Sequence, residues 1–284
     1  MTIKINSLTK FFIIFILIFI AIIIQITPFS KEYKDDLTKL PVIMYHQVTT
    51  RNSRIGKYCV SEQQLENDLK YIKENGFTSI SVQELLDHVY NGKELPDKPI
   101  MITFDDGFES IMQYVLPLME KYDSKCIVSV VGAYADMTEK QDDHNVNYAY
   151  LDWKEIAELV KNDRIEIQNH SYDLHQNTKK RKGASQCAGE DYDSYREMLD
   201  SDLTKLQKKI YEMTKYNPLA FTYPFGCYSK DSTEILKQLG FKAAFVCEEV
   251  VNRIDTKNTS WLYKIGRFNR SGEYSTESFF KRIG

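Results

Sequence analysis

Two adjacent carboxylates, Asp105 and Asp106, follow the apolar run Ile100-Met-Ile-Thr-Phe104 and precede Gly107. Alone, such a pair suits a helix N-cap and a turn. Further along, Arg164-Ile-Glu-Ile-Gln168 leads into Asn169-His170, and a second histidine follows at His175. One Asp and two His form a usual ligand set for a catalytic divalent metal that keeps one position open. Five residues along a helix rotate by about 140°, and a strand would turn the two rings to opposite faces. The rings can therefore converge only if Ser171-Tyr-Asp-Leu174 forms a turn. Asp173, between them, is placed to orient a ligand imidazole.

Two further apolar runs end in the same way. Pro41-Val-Ile-Met-Tyr45 ends in His46, and Phe221-Thr-Tyr223 ends in Pro224-Phe225-Gly226. In α/β barrels the catalytic groups project from the C-terminal ends of strands, where the βα loops converge. The remaining histidines, His88 in an amphipathic helix and His144 in a polar loop, receive no role.

The elements that must position these groups alternate along the chain. Strand candidates are 41–45, 77–80, 99–104, 125–131, 164–168, 219–223, 242–246 and 262–266. Helices are expected after the capping-box-like starts Ser61-Glu-Gln-Gln64, Ser81-Val-Gln-Glu84 and Asp152-Trp-Lys-Glu155, with stops at Gly76 and Gly240. Repeated βα alternation predicts an α/β fold with a parallel sheet, and seven or eight strands predict its closure into a barrel. The stretch 176–192 breaks this rhythm with the basic cluster Lys179-Lys-Arg-Lys182. It reads as a solvated loop, or else as a flap beside the site that touches a glycan or an anionic polymer.

Thr103-Phe104-Asp105-Asp106-Gly107 resembles the first signature of the NodB-type polysaccharide deacetylases, carbohydrate esterase family 4. Asn169-His170-Ser171-Tyr-Asp-Leu-His175 resembles the second, Tyr223-Pro224-Phe225-Gly226 the third, and Trp153 through Ile165-Glu-Ile the approach to the histidines. The longer histidine spacing, together with Tyr45-His46-Gln-Val48, is similar to the branch containing the poly-β-1,6-N-acetylglucosamine deacetylases.

The resemblance implies a distorted (β/α)7–8 barrel with Asp106, His170 and His175 on a divalent metal, Zn²⁺ above other first-row ions. It implies Asp105 as general base, the Phe225 backbone N–H as an oxyanion donor, and His46 near the substrate. The substrate would be an N-acetylated glycan, either a poly-N-acetylglucosamine exopolysaccharide or a peptidoglycan- or chitin-like polymer. Thr222 stands where many members carry an Arg that pairs with the base. No histidine follows His175, so the family's C-terminal acid is missing; His46 is one candidate for its role, and a slower route through Asp105 and metal-bound water is the other. A weakly active or inactive glycan-binding protein and an O-acetyl esterase are the alternatives.

Phe11 to Ile24 is an uninterrupted apolar run, extended by Ile26 and Phe29 and preceded by Lys4 and Lys10. With its flanks it reaches roughly the 20 residues a spanning helix needs, and it lacks a small-x-small exit. The expected organisation is a cytoplasmic stretch 1–10, a transmembrane signal-anchor 11–29, a linker 30–40 and an extracellular deacetylase domain 41–284. Upstream positive charge sets that orientation; cleavage would instead give a secreted form. The 43% apolar content supports a sizeable core, and a net charge of −3 gives no basic footprint for nucleic acid. Five cysteines without C-x-x-C spacing form neither a zinc ribbon nor a disulfide framework. A monomer is expected.

Overall fold

The structure is a computed structural model, and it describes residues 37–283. The Phe11–Phe29 segment read as an anchor lies outside these residues. Among the described residues no helix is long and apolar enough to cross a membrane.

The first strand begins at Lys39, inside the segment read as linker, and the first α-helix follows four strands later at Glu62. The strands are β1 (Lys39–Leu40), β2 (Val42–Tyr45), β3 (Gln47–Thr49), β4 (Cys59–Ser61), β5 (Thr78–Ser79), β6 (Pro99–Phe104), β7 (Cys126–Val130), β8 (Ile165–Asn169), β9 (Ala220–Thr222), β10 (Ala243–Phe245), β11 (Asn252–Arg253) and β12 (Phe268–Asn269). The α-helices are α1 (Glu62–Glu74), α2 (Val82–Asn91), α3 (Leu116–Lys121), α4 (Gly132–Gln141), α5 (Trp153–Leu159), α6 (Tyr192–Thr214), α7 (Ser232–Gln238) and α8 (Thr276–Ile283).

The principal sheet is parallel, in the order β10-β9-β8-β7-β6-β2-β12, with β5 added alongside β6. A parallel Phe245–Ile265 bridge brings its two ends together through the segment that continues into β12. The result is an α/β half-barrel of parallel strands, in which the parallel sheet is as expected and a single bridge rather than a strand ladder spans the seam.

One strand candidate is displaced. Residues 259–264 form a 3₁₀ helix rather than the strand expected over 262–266, and the pairing with β2 falls at Phe268–Asn269. Its apolar residues Leu262 and Tyr263 are buried as a helical turn, and a short apolar run cannot distinguish the two by periodicity.

The expected helix starts are present. Ser61, Ser81 and Asp152 each accept from the backbone N–H of the residue three on, and Gln64, Glu84 and Glu155 return the bond. Each such cap is worth about 1 kcal/mol. Gly76 and Gly240 follow their helices with positive φ.

Side chains alternate across the strands. Ile100, Ile102 and Phe104 of β6 belong to the core shared with α1, α5 and α8. Met101 joins a second core with Val82, Leu199 and Phe245. With a period of two, Thr103 and Asp105 continue the Met101 row, so the row turns polar at its C-terminal end. At the seam, β2 is tied to the chain's last helix by buried groups. The Tyr45 hydroxyl donates to Asp68 (2.8 Å), which also receives Arg270 (2.7 Å) and Thr276 (2.6 Å).

Candidate metal and hydrolytic site

Each C-terminal strand end delivers its residue to one cavity of about 730 Å³, lined by His46, Asp105, Asp106, His170, His175 and Phe225 among others. Sequence reading named all six.

The histidine turn forms as the spacing required. Ser171 adopts φ 76°, the Ser171 N–H donates to Asn169 (2.8 Å), and Leu174 N–H donates to the Ser171 hydroxyl (3.1 Å). Asp202 of α6, which the sequence did not single out, receives the N–H groups of Tyr172 (2.7 Å) and Asp173 (2.8 Å). The His170 and His175 rings then stand 5.0 Å apart.

Asp173 does not orient either ring; it is exposed and accepts from Gln176 (2.9 Å). His170 Nδ1 instead donates to the Thr222 carbonyl (2.7 Å), and His175 Nδ1 lies 3.2 Å from the Tyr134 hydroxyl. These partners leave the Nε2 atoms facing Asp106 Oδ1, at 3.4 Å for His170 and 3.1 Å for His175.

The donor atoms of Asp106, His170 and His175 all lie within 4.8 Å of one another. Asp106 Oδ1 is buried and accepts no hydrogen bond, although it faces both rings. A buried carboxylate oxygen without a partner is costly, and a cation shared with the two Nε2 atoms would remove that cost. The donor set therefore fits a divalent metal, with imidazole and carboxylate suited to Zn²⁺ and to other first-row ions.

Asp105 lies beside this set with a different partner. Arg267, fully buried, donates from Nη1 and Nη2 to its two carboxylate oxygens at 2.6 and 2.8 Å. Arg267 is itself held by the Val246 carbonyl (3.1 Å) and the Thr103 hydroxyl (3.1 Å). Burial alone would raise the Asp105 pKa, but Arg267 and His170 outweigh it and hold the carboxyl well below the usual range.

Arg267 thus pairs with the carboxylate that seemed to lack an Arg because Thr222 occupies the expected place. It projects from the barrel seam, next to Gly266, where a Cβ would lie 2.5 Å from the Glu248 carbonyl oxygen. Its signal in the sequence was a charge directly after the last strand candidate, 262–266.

His46 shares the cavity, its ring tilted against Tyr58 at 4.8 Å between centroids. Its Nδ1 is buried without a partner, and burial lowers its pKa against the opposing pull of Asp105 and Asp106. Phe225 occupies the left-handed region with φ 59°, as do Asp106 (71°) and Ser171 (76°). Such residues cost about 1–3 kcal/mol each and persist where the surroundings hold them, commonly at active sites. The Phe225 ring lies 4.5 Å from His175.

Of the histidines given no role, His88 accepts its place at a helix end, with Nδ1 2.6 Å from the Lys93 carbonyl oxygen. His144 is engaged. Its Nδ1 is 3.3 Å from Glu109 and 3.7 Å from Glu155, so the 142–151 loop is fastened to the segment after Asp106 and to α5. Tyr150 of that loop stacks on Tyr134, with centroids 4.2 Å apart.

Residues 92–244 match the family model described as polysaccharide deacetylase. Among curated relatives, a poly-beta-1,6-N-acetyl-D-glucosamine N-deacetylase of Escherichia coli strain K12 is 24% identical over 259 residues, covering 85% of this chain. The chain spans only 38% of that relative's length. The protein of the same name from Staphylococcus aureus strain MSSA476 is 25% identical over 235 residues, 78% of this chain and 76% of the relative. A solved de-N-acetylase from Aggregatibacter actinomycetemcomitans superimposes with a TM-score of 0.72 at 19% identity, covering 86% of this chain and 99% of that one. That likeness establishes a shared fold.

Proposed function

The chain belongs to the polysaccharide deacetylase family, and on that premise we propose that it hydrolyses N-acetyl groups from an amino-sugar polymer, releasing acetate. The observation that carries this reading is the meeting of Asp106, His170 and His175, within 4.8 Å, beside an Arg267-held Asp105 in one cavity.

Asp106, His170 and His175 would hold the metal, with Zn²⁺ preferred. When bound, a divalent ion polarises the acetyl carbonyl and lowers the pKa of water toward ~7. Asp105, kept ionised and oriented by both arms of the Arg267 guanidinium, takes the proton of the attacking water. The Phe225 backbone N–H donates to the oxygen that gains charge as the carbonyl carbon becomes tetrahedral. A preorganised donor of this kind is worth roughly 3–4 kcal/mol. The proton that Asp105 takes from water is returned through His46 to the departing amine, so acetate leaves and the sugar retains a free amino group. The names of the curated relatives favour a poly-N-acetylglucosamine exopolysaccharide over peptidoglycan.

The Phe11–Phe29 segment would anchor a monomer in the membrane with residues 41–284 outside the cell. Incubating the protein with N-acetylated polymers and measuring acetate tests the reaction. Asp105→Asn should keep its metal and lose about 10²–10⁴-fold in turnover. His170→Ala or His175→Ala should lose metal and turnover together, and full metal occupancy in both would refute the ligand set.

A further inference from the structure

The basic cluster 179–182 resolves into residues with separate fates. Arg181 is internal to its loop, bonded to Glu190 (2.5 Å) and to the Ser185 carbonyl (2.6 Å). Lys182 lines the catalytic cavity, with its Nζ 5.8 Å from the centre of the Phe225 ring.

The loop cannot drift from this position without breaking contacts. Asn177 and Lys182 form an antiparallel bridge, and the next residue is pressed against the turn that carries Phe225. Gly183 has φ 55°, and a Cβ there would lie 2.5 Å from the Pro224 carbonyl oxygen. Only glycine permits so close an approach in that conformation. Of the cluster, Lys182 is therefore a fixed part of the cavity wall.

Two more cations line the same cavity from the segment after β3. Arg54 donates to the Gln47 side chain (3.1 Å), and Lys57 lies over the Tyr58 ring at 5.0 Å. Tyr58 in turn contacts His46, so these cations flank the proposed acid as Lys182 flanks the His175 side.

None of Arg54, Lys57 and Lys182 has a carboxylate within 4.0 Å among the described residues. Glu273 acts on Lys57 only at longer range. Two anions of the cavity are paired, Asp105 by Arg267 and Glu249 by Arg282, and the third, Asp106, faces the two imidazoles with which it would hold the metal. The mouth thus carries three cations with no carboxylate at salt-bridge distance.

We propose that the amino-sugar polymer carries phosphate or carboxylate substituents beside its N-acetylated units, and that Arg54, Lys57 and Lys182 receive them. This rests on reading the site as a deacetylase. A field of this sign raises the local concentration of an anionic chain. It also favours release of the product, because each deacetylation adds a cationic amine to the polymer.

The test uses the full chain in detergent with three probes: a neutral β-1,6-linked N-acetylglucosamine oligosaccharide, the same backbone O-phosphorylated, and the same backbone O-carboxymethylated. At low ionic strength, kcat/KM for acetate release should be about tenfold or more higher on an anionic probe. The preference should shrink in about 0.5 M salt. An R54Q/K182Q double variant should bring the anionic-to-neutral ratio toward one. Preference for one anionic probe over the other identifies phosphate or carboxylate as the group received. A neutral probe cleaved as well or better, or a ratio unchanged in the double variant, overturns the proposal. If no probe releases acetate, the deacetylase reading fails, and calorimetry on the unaltered chain still decides this one. Tighter binding of an anionic probe supports it, and equal binding of all three refutes it.

Discussion

At the scale of single residues, the carboxylates differ by partner rather than by chemistry. Asp106 faces two imidazoles and Asp105 faces a guanidinium. Replacing Arg267 with Met should therefore leave Asp105 buried without a counter-charge, a change that typically costs about 3–5 kcal/mol. The expected result is a lower unfolding midpoint together with lost turnover, read by thermal denaturation and acetate release. His46→Ala should separate acid catalysis from positioning. An activated ester needs little protonation of its leaving group, so the variant should keep much of its esterase rate while amide cleavage falls. Parallel loss on both substrates would remove His46 from the acid role.

Five of the six named site residues were legible because they stand at the end of an apolar run, and His175 because of its spacing from His170. Arg267 was not, because the run before it folds as a 3₁₀ helix and the β2 pairing begins at Phe268. Asp202 and Tyr134 were invisible for another reason. Each sits on a helix and meets the histidine turn only through tertiary packing.

At the scale of elements, the 142–151 loop offers a test by pH. Burial opposes a charge on His144, but Glu109 and its neighbours outweigh it, so the His144 pKa is raised above 6.5. A group held more tightly protonated in the fold stabilises fully below its unfolded pKa, and that contribution fades as pH rises through the folded value. Glu155 acts in the same direction. Burial, with Glu109 nearby, pushes its pKa up to about 7 from 4.5, so the fold favours its protonated form and loses stability as it ionises across that interval. Hydrogen exchange in residues 142–151, corrected for intrinsic rates, should therefore show falling protection from about pH 5 to 8. Glu155→Gln should flatten the profile, and an unchanged profile would show that the cluster does not hold the loop. Sequence reading placed this loop but not its fastening, because Glu109 lies on the catalytic strand's own exit and Glu155 was legible only as a cap.

At the scale of the whole molecule, the parallel sheet followed from the βα rhythm, since two-sided burial gives near-continuous apolar strands such as Pro99–Phe104. The seam did not, because strands of two or three residues carry too little pattern. Fractionation addresses the proposed topology: a membrane-associated chain of full length supports the Phe11–Phe29 anchor. A shorter soluble product beginning near residue 30 would show cleavage.

The seam also governs when the site can exist. Asp105 and its guanidinium partner are 162 residues apart, so their pairing closes most of the folded chain into one loop. Closure entropy grows only slowly with loop length, yet contacts this distant in sequence place a fold among the slower ones. A polypeptide emerging from synthesis or export holds both aspartates and both histidines long before residues 265–269 arrive to seal the barrel. Until then it has a rim without a finished centre. The order of emergence thus makes hydrolytic competence a late event, acquired only when the closing segment docks and never by a half-made chain.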